Sequence, residues 1–194
     1  MDYRIFKEDG QILRELAKKQ LEFHHREDNQ RRIREWYDHN ALQGQRPMIH
    51  LEAATFQQEF LPDRLRCQGE FARQVEQQLY ENFQNQELFD DDRVTPDWFG
   101  VSYDTYFRLF DIQIHVEHTE MGGQESLGHH FVSVVEDLEE DYEKLKPTVF
   151  GVDKESTREK FQSISQTIGD ILPVRMKMDC LYSVPTQMIV HFMS

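Results

Sequence analysis

Segments with the apolar period of a helix alternate along this chain with short extended segments, and this alternation strongly limits its fold. Apolar residues recur every three or four positions over residues 10–38, 63–86 and 155–168. Shorter runs typical of strands occupy residues 47–52, 93–99 and 171–178. Helices that alternate with strands favour a parallel sheet with helical crossovers. We therefore predict an α/β fold with three parallel strands.

Each helical segment carries an apolar stripe that we expect to be buried. In the first, Leu13, Leu16, Ala17 and Leu21 are continued after a polar middle by Ile33, Trp36 and Tyr37. In the second, the stripe consists of Phe71, Ala72, Val75, Leu79 and Phe83. In the third it consists of Thr157, Phe161, Ile164 and Ile168, and Gly169 follows as the residue that ends the helix.

A β-strand insertion interrupts the alternation after the second strand. Apolar and polar residues alternate over 109–118, which predicts a half-exposed β-strand as part of the insertion. Residues 134–145 are acidic and end before Pro147, which predicts a short helix.

The carboxyl-terminal segment begins as a helix and lacks a stop signal. Ser183 suits an N-cap and Pro185 suits the first turn, while Val184, Met188 and Phe192 have the spacing of one face. We therefore expect the architecture to continue beyond Ser194. On this interpretation residues 1–194 form a single partial domain, in which 1–45 are a helical extension and 46–194 the first βα units.

Charge and cysteine content exclude several classes of protein. The chain has 22 basic and 36 acidic residues, and its net charge of −14 disfavours nucleic acid and anionic membrane surfaces as partners. Cys67 and Cys180 lie far apart, so we expect neither a disulfide framework nor a structural zinc site. Without an apolar signal sequence or a membrane-length run, the chain is predicted to be cytoplasmic.

Polar residues at the predicted strand ends are the candidate site. In a barrel of alternating strands and helices, the carboxyl ends of the strands face the active site. These positions are His50 and Glu52 on the first strand, Asp97 on the second, and Lys177 and Asp179 on the third. We predict that Glu52 and Asp97 are catalytic, with one of them acting as a general base or holding a cationic intermediate, and that the other three bind substrate.

The histidines of the insertion do not predict a metal site. His115 and His118 lie close to Glu117 and Glu120. Positions three apart on a strand point to opposite faces, so these two histidines diverge, and a metal requires convergent ligands.

Five blocks of sequence are spread over nearly the whole chain: RRIREW (31–36) with Asn40, RPMI (46–49), LGHHF (127–131), DLEEDYEKLKP (137–147) and GDILPV (169–174). In their order and composition these blocks resemble the uroporphyrinogen decarboxylase superfamily, in its decarboxylase-like branch related to corrinoid-dependent methyltransferases. The resemblance implies a TIM-type (β/α)₈ barrel with its pocket at the carboxyl ends of the strands. It also implies that this chain is only the amino-terminal part.

Two departures from the family pattern bear on the reaction. True decarboxylases resemble one another in an Arg-Gln-Ala-Gly-Arg-Tyr segment after the first strand, where this chain has residues 52–56 without a cation. Their catalytic aspartate follows Phe-Ser, whereas Asp97 lies in Pro-Asp-Trp. The resemblance therefore implies methyl transfer involving a corrinoid, with a small molecule or a corrinoid protein as partner. Zinc and corrinoid are expected only in a full-length protein, because the family's zinc ligands lie late in the barrel.

Two alternatives to a catalytic role follow from the incomplete barrel. Three strands leave an open sheet edge, which favours a half barrel that binds or assembles, including with a second copy of itself. The other alternative is an inactive truncated product.

Overall fold

The computed structural model describes residues 2–53, 57–121 and 124–178, and over these residues the chain is mixed α/β, which confirms the predicted class. The helices are α1 (Lys7–His25), α2 (Glu27–Asn40), α3 (Gln57–Phe60), α4 (Glu70–Leu88) and α5 (Lys154–Ile168). The strands are β1 (Phe99–Ser102), β2 (Asp104–Arg108), β3 (His115–Met121), β4 (Gln124–Val132), β5 (Val149–Asp153) and β6 (Val174–Lys177). Asp179 and the helix predicted from Ser183 lie outside the described residues.

The chain divides into two compact units. The first comprises Met1–Ser102 and Glu155–Lys177, and the second includes Tyr103–Lys154. The second unit is thus inserted in the connection between β1 and α5. The single partial domain with a helical extension over 1–45 stays a prediction.

The core of the first unit is built from the apolar faces predicted for α1, α4 and α5. Leu13, Ala17, Leu79 and Ile168 are inaccessible to solvent, and the remaining predicted residues of α4 are buried with them. On β1, Phe99 is fully buried in the same cluster. The helical periodicity therefore predicted these buried faces correctly.

The single helix predicted over 10–38 is wrong, because the chain breaks at Arg26. This residue has extended backbone angles (φ −62°, ψ 142°), and its guanidinium lies 3.6 Å from the centre of the Phe23 ring. The Asn29 side chain donates to the carbonyl of His24 at 2.9 Å, across the break. The apolar stripe of α2 is consequently not a continuation of the buried stripe of α1, and Tyr37 is 74% exposed.

Strands β1 and β6 pair in parallel, with a register that runs from Phe99 opposite Val174 to Ser102 opposite Lys177. The strand predicted over 93–99 is wrong except at its last residue, because the amide and carbonyl of Thr95 bond to the Asn29 side chain and not to a neighbouring strand. Strand β6 is shorter than the predicted 171–178. The side chain of Gln78 on α4 donates to the carbonyl of Gly100 at 2.7 Å, which ties the helix to β1.

The strand predicted over residues 47–52 is wrong, because this segment has no strand partner. The amides of Ile49 and Leu51 donate to the carboxylates of Asp92 (2.7 Å) and Asp91 (2.8 Å), respectively. The Asp92 amide in turn donates to the Ile49 carbonyl at 2.8 Å. Side-chain carboxylates thus take the place of a neighbouring strand, which a pattern of apolar residues does not reveal.

The second unit contains two antiparallel strand pairs. Strand β2 pairs with β5, so that Asp104 lies opposite Asp153 at the base of the insertion, and β3 pairs with β4. A small apolar cluster forms around Ile112 and Val135.

Two elements predicted within the insertion differ from the structure. The strand predicted from residue 109 begins only at His115, because Leu109–Asp111 forms a 3₁₀ turn. The acidic segment 134–145 is not an α-helix and retains only the 3₁₀ turn Tyr142–Lys144. Here the carboxylates of Asp137 and Asp141 accept bonds from nearby amides, which competes with helix formation.

None of the helices in the described part of the chain combines the length and the apolar character that crossing a membrane would require.

Candidate functional site

The first unit carries an open cleft of about 530 Å³ along one face of α2. Its helical wall consists of Ile33, Trp36, Tyr37 and Asn40, which follow the i, i+3, i+4, i+7 spacing of a single helix face. The opposite wall consists of His50, Arg93 and Val94. The stripe that was expected to be buried therefore lines a surface cleft.

Asn29 joins the two walls of this cleft. Its side chain is fully buried and donates to the Thr95 carbonyl at 3.1 Å, while its own oxygen accepts from the Thr95 amide at 2.9 Å. The side chain of Gln86 on α4 donates to the same oxygen. These bonds hold α2 against the segment that carries Arg93 and Val94.

The indole of Trp36 is fixed by a hydrogen bond. Its Nε1 donates to the Asp92 carbonyl at 2.6 Å, and its ring meets that of His39 edge to face, with centroids 5.6 Å apart. Tyr37, one residue on, is largely exposed. The helical wall therefore combines an anchored aromatic ring with an accessible one.

His50 lines the cleft from a loop whose backbone is held by hydrogen bonds on both sides of this residue. The amides of Ile49 and Leu51 are held by Asp92 and Asp91, as described above. Since both neighbours are anchored, the backbone of His50 is held at the rim of the cleft.

The ion pair between Arg46 and Asp92 stabilises this loop further. Hydrogen bonds from the Arg46 guanidinium lower the pKa of Asp92 to about 2, and the amide of Ile49 adds to the effect. Hydrogen bonds to the carboxylates of Asp92 and Glu35 in turn raise the pKa of Arg46.

Arg93 differs from the other charged residues of this region because none of the adjacent aspartates pairs with its side chain. Asp90 pairs with Arg32, and Asp92 with Arg46. Asp91 accepts from the Arg93 backbone amide at 3.1 Å but not from its guanidinium. Among the residues that the structure describes, the Arg93 guanidinium makes one long contact, 3.4 Å to the amide oxygen of Asn85.

The structure does not gather the predicted site residues into one pocket. His50 lines the cleft, whereas Glu52, Asp97 and Lys177 are exposed and are not among its lining residues. Asp97 precedes β1 and so lies at its amino end, although it was selected as a residue at a carboxyl end. Lys177 does lie at the carboxyl end of β6, beside Ser102 of β1. The roles predicted for these residues stay predictions, and Asp179 lies outside the described residues.

Arg93 was not among the site residues predicted from the sequence. An arginine that follows three aspartates in sequence is expected to be neutralised by them. Only the structure reveals that these aspartates bind backbone amides and other arginines. For Trp36 and Tyr37, the helical spacing was present in the sequence but indicated a buried face.

Within residues 2–53, 57–121 and 124–178, no three histidine, cysteine or acidic side chains converge as metal ligands would. Comparisons of the chain with protein-family models, curated proteins and solved structures give no match.

Proposed function

We propose that this chain is the amino-terminal part of a uroporphyrinogen decarboxylase-like barrel enzyme that catalyses methyl transfer involving a corrinoid. The observation that carries the proposal is the parallel pairing of β1 with β6, with α5 preceding β6 in the chain. A strand, a helix and a parallel neighbouring strand form the repeating unit of such a barrel.

The position of the insertion also supports a barrel. The insertion begins directly after β1, at Tyr103, and ends at Lys154, the first residue of α5. The connections from strand to helix are the ones that build the active site of a barrel. Elaboration of this connection is therefore typical of a barrel enzyme.

The carboxyl ends of β1 and β6 provide the first groups of such a site. Ser102 and Lys177 lie side by side in the register, so a hydroxyl and an ammonium group belong to the same edge. An ammonium group can bind and orient an anionic substrate group. We assign this orienting role to Lys177. We assign the role of general base to Glu52, because Asp97 lies at the opposite, amino end of β1.

The choice of methyl transfer over porphyrinogen decarboxylation rests on charge. A porphyrinogen bears several carboxylates, which arginines pair with bidentately. Residues 52–56, at the place of the family's arginine-rich segment, contain no cation, and the chain as a whole has a net charge of −14. A substrate with many negative charges is therefore disfavoured here.

The test is an assay of the protein encoded by the complete reading frame that contains this chain. Under anaerobic conditions, methylcobalamin and a small thiol are supplied, and the conversion of methylcob(III)alamin to cob(I)alamin is followed by absorbance. A parallel reaction measures the release of carbon dioxide from uroporphyrinogen. We expect thiol-dependent demethylation and no decarboxylation. Decarboxylation, or the absence of both reactions, would refute the proposal.

A binding or assembly module is the second candidate, because β1 and β6 pair only with each other among the described residues. Each strand thus has one edge without a partner strand in that part of the chain, and such an edge favours pairing with another chain. Light scattering on the purified chain tests this candidate. A monomer over the whole accessible concentration range would exclude self-assembly, and a concentration-dependent dimer would support it.

A further inference from the structure

We propose that the cleft between α2 and the Arg93 segment binds a small aromatic acid with a single negative charge. The inference concerns a ligand site on the first unit and does not depend on the reaction proposed above. It rests on three observations. The cleft has the volume of a small-molecule site, its helical wall is aromatic, and its opposite wall carries a guanidinium that pairs with no carboxylate among the described residues.

The charge of the ligand follows from Arg93. The adjacent carboxylates are engaged by Arg32, Arg46 and backbone amides. Within the described part of the chain, the Arg93 guanidinium therefore retains a single 3.4 Å contact, with a neutral amide oxygen. Arg93 is also half-buried, and partial burial strengthens its attraction to an anion relative to that of a fully solvated charge. A carboxylate in the cleft would accept two parallel hydrogen bonds from the guanidinium.

The aromatic character of the ligand follows from α2. Trp36 is anchored through its bond to the Asp92 carbonyl, and the ring of Tyr37 is 74% exposed along the same helix face. Ile33 on this face and Val94 opposite complete an apolar lining. Aromatic rings gain free energy beyond burial when they stack or meet edge to face.

Further polar groups are placed to orient the ligand. Asn40 and His50 lie at the rim of the cleft, and each has both hydrogen-bond donor and acceptor capacity. The backbone of His50 is held in place by its pinned neighbours. A few fixed polar groups around an apolar lining are typical of small-molecule sites.

The volume of the cleft and the net charge of the chain limit the ligand further. A volume of about 530 Å³ lies within the usual range for small-molecule sites and exceeds what one or two fused rings require. The net charge of −14 repels anions at long range, so each additional negative charge weakens binding. One carboxylate on an aromatic ring system is therefore favoured over a polyanion.

The test uses 2-naphthoate as probe, with neutral 2-naphthamide and naphthalene-2,6-dicarboxylate as comparisons. Each is titrated into the ¹⁵N-labelled chain while the indole N–H signal of Trp36 is followed by NMR. The variant Trp98→Phe assigns that signal, because the chain has only two tryptophans. We expect 2-naphthoate to shift the Trp36 signal with a Kd of about 1 mM or tighter. The dicarboxylate and the amide should bind more weakly.

Arg93→Gln should weaken binding of 2-naphthoate about tenfold or more and leave the amide unaffected. Arg34→Gln is the matched control, because Arg34 is an exposed arginine of α2 that does not line the cleft, and it should bind as the parent chain does. Tyr37→Ala removes an exposed ring without loss of core packing and should weaken binding of 2-naphthoate and of the amide about threefold.

Three results would each overturn the proposal. The first is no shift of the Trp36 signal at roughly 10 mM 2-naphthoate, a concentration well above the expected Kd. The second is equal binding of acid and amide, which would mean that Arg93 does not select for charge. The third is an equal loss of affinity in Arg34→Gln and Arg93→Gln. Tyr37→Ala keeps the test decisive if Arg93→Gln fails to fold, since unchanged affinity in that variant would also contradict the aromatic site.

Discussion

The guanidinium of Arg46 holds both carboxylate oxygens of Asp92, with Nη1 2.7 Å from Oδ2 and Nη2 2.5 Å from Oδ1. The same carboxylate accepts the amide of Ile49 at 2.7 Å. Asp92 is buried, and its backbone carbonyl also accepts the indole N–H of Trp36. One aspartate therefore positions both the loop that carries His50 and the aromatic wall of the cleft.

This pair predicts a dependence of stability on pH. The pKa of Asp92 is about 2 in the folded chain, below its ordinary value of 3.8. The folded state therefore binds this proton less readily than the unfolded state. The resulting stabilisation is complete above about pH 4 and is lost as the pH falls toward 2. After allowance for solvent screening around exposed Arg46, it amounts to about 1 kcal/mol.

Asp92→Asn should consequently lower the free energy of unfolding by about 1 kcal/mol at pH 6, and this difference should shrink at pH 3. Urea unfolding of both chains at the two pH values measures it. Asp38→Asn, at an exposed position of α2, is the control and should show no such difference. A deficit in Asp92→Asn that is equally large at both pH values would contradict the ionic origin of the stabilisation.

Substitution of Glu76 on α4 should greatly lower the stability of the fold. Its carboxylate is fully buried and accepts the amides of Arg66 (2.9 and 3.0 Å) and Cys67 (2.8 Å). In Glu76→Gln an amide NH₂ replaces one acceptor oxygen and faces a backbone N–H. We expect the free energy of unfolding to fall by about 2–3 kcal/mol. Urea denaturation measures the free energy of unfolding of Glu76→Gln and of the control Glu22→Gln. Glu22 is exposed, so little change is expected there.

The insertion should be removable without unfolding the first unit. The buried core of that unit contains no described residue between 104 and 153. Asp104 and Asp153 lie directly opposite in an antiparallel pair, so their Cα atoms are about 5 Å apart. An Asn-Gly turn can therefore replace residues 105–152.

We expect the shortened chain to keep its helical circular dichroism and to unfold cooperatively in urea. The intact chain is the reference for both measurements. If the shortened chain shows no cooperative unfolding transition, the first unit depends on the insertion for its stability, and the prediction is wrong.

Glu52 tests the proposed catalysis directly. If its carboxylate is the general base, Glu52→Gln in the complete protein should lower kcat about a hundredfold or more. Glu139→Gln, at an exposed position of the insertion, is the matched control and should leave kcat unchanged. Unchanged turnover in Glu52→Gln, measured by the methylcobalamin assay, would remove Glu52 from the proposed site.

Local periodicity determined much of the helical core. The apolar residues of α4 and α5 were assigned to buried faces from their spacing alone, and Leu79 and Ile168 are indeed inaccessible to solvent. Spacing suffices here because a helix places every third or fourth side chain on one face, whatever it packs against. The parallel arrangement of β1 and β6 also follows from the order of elements.

What only the tertiary structure decided is which partners the polar groups find. Residues 47–52 have the pattern of a strand, but Asp91 and Asp92, about 40 residues later in the chain, take up the amides of Ile49 and Leu51. For the same reason the Arg93 guanidinium pairs with none of the three preceding aspartates, since those aspartates are engaged elsewhere. Apolar burial depends on spacing along the chain, whereas a hydrogen bond or ion pair depends on groups that only folding brings within 3 Å.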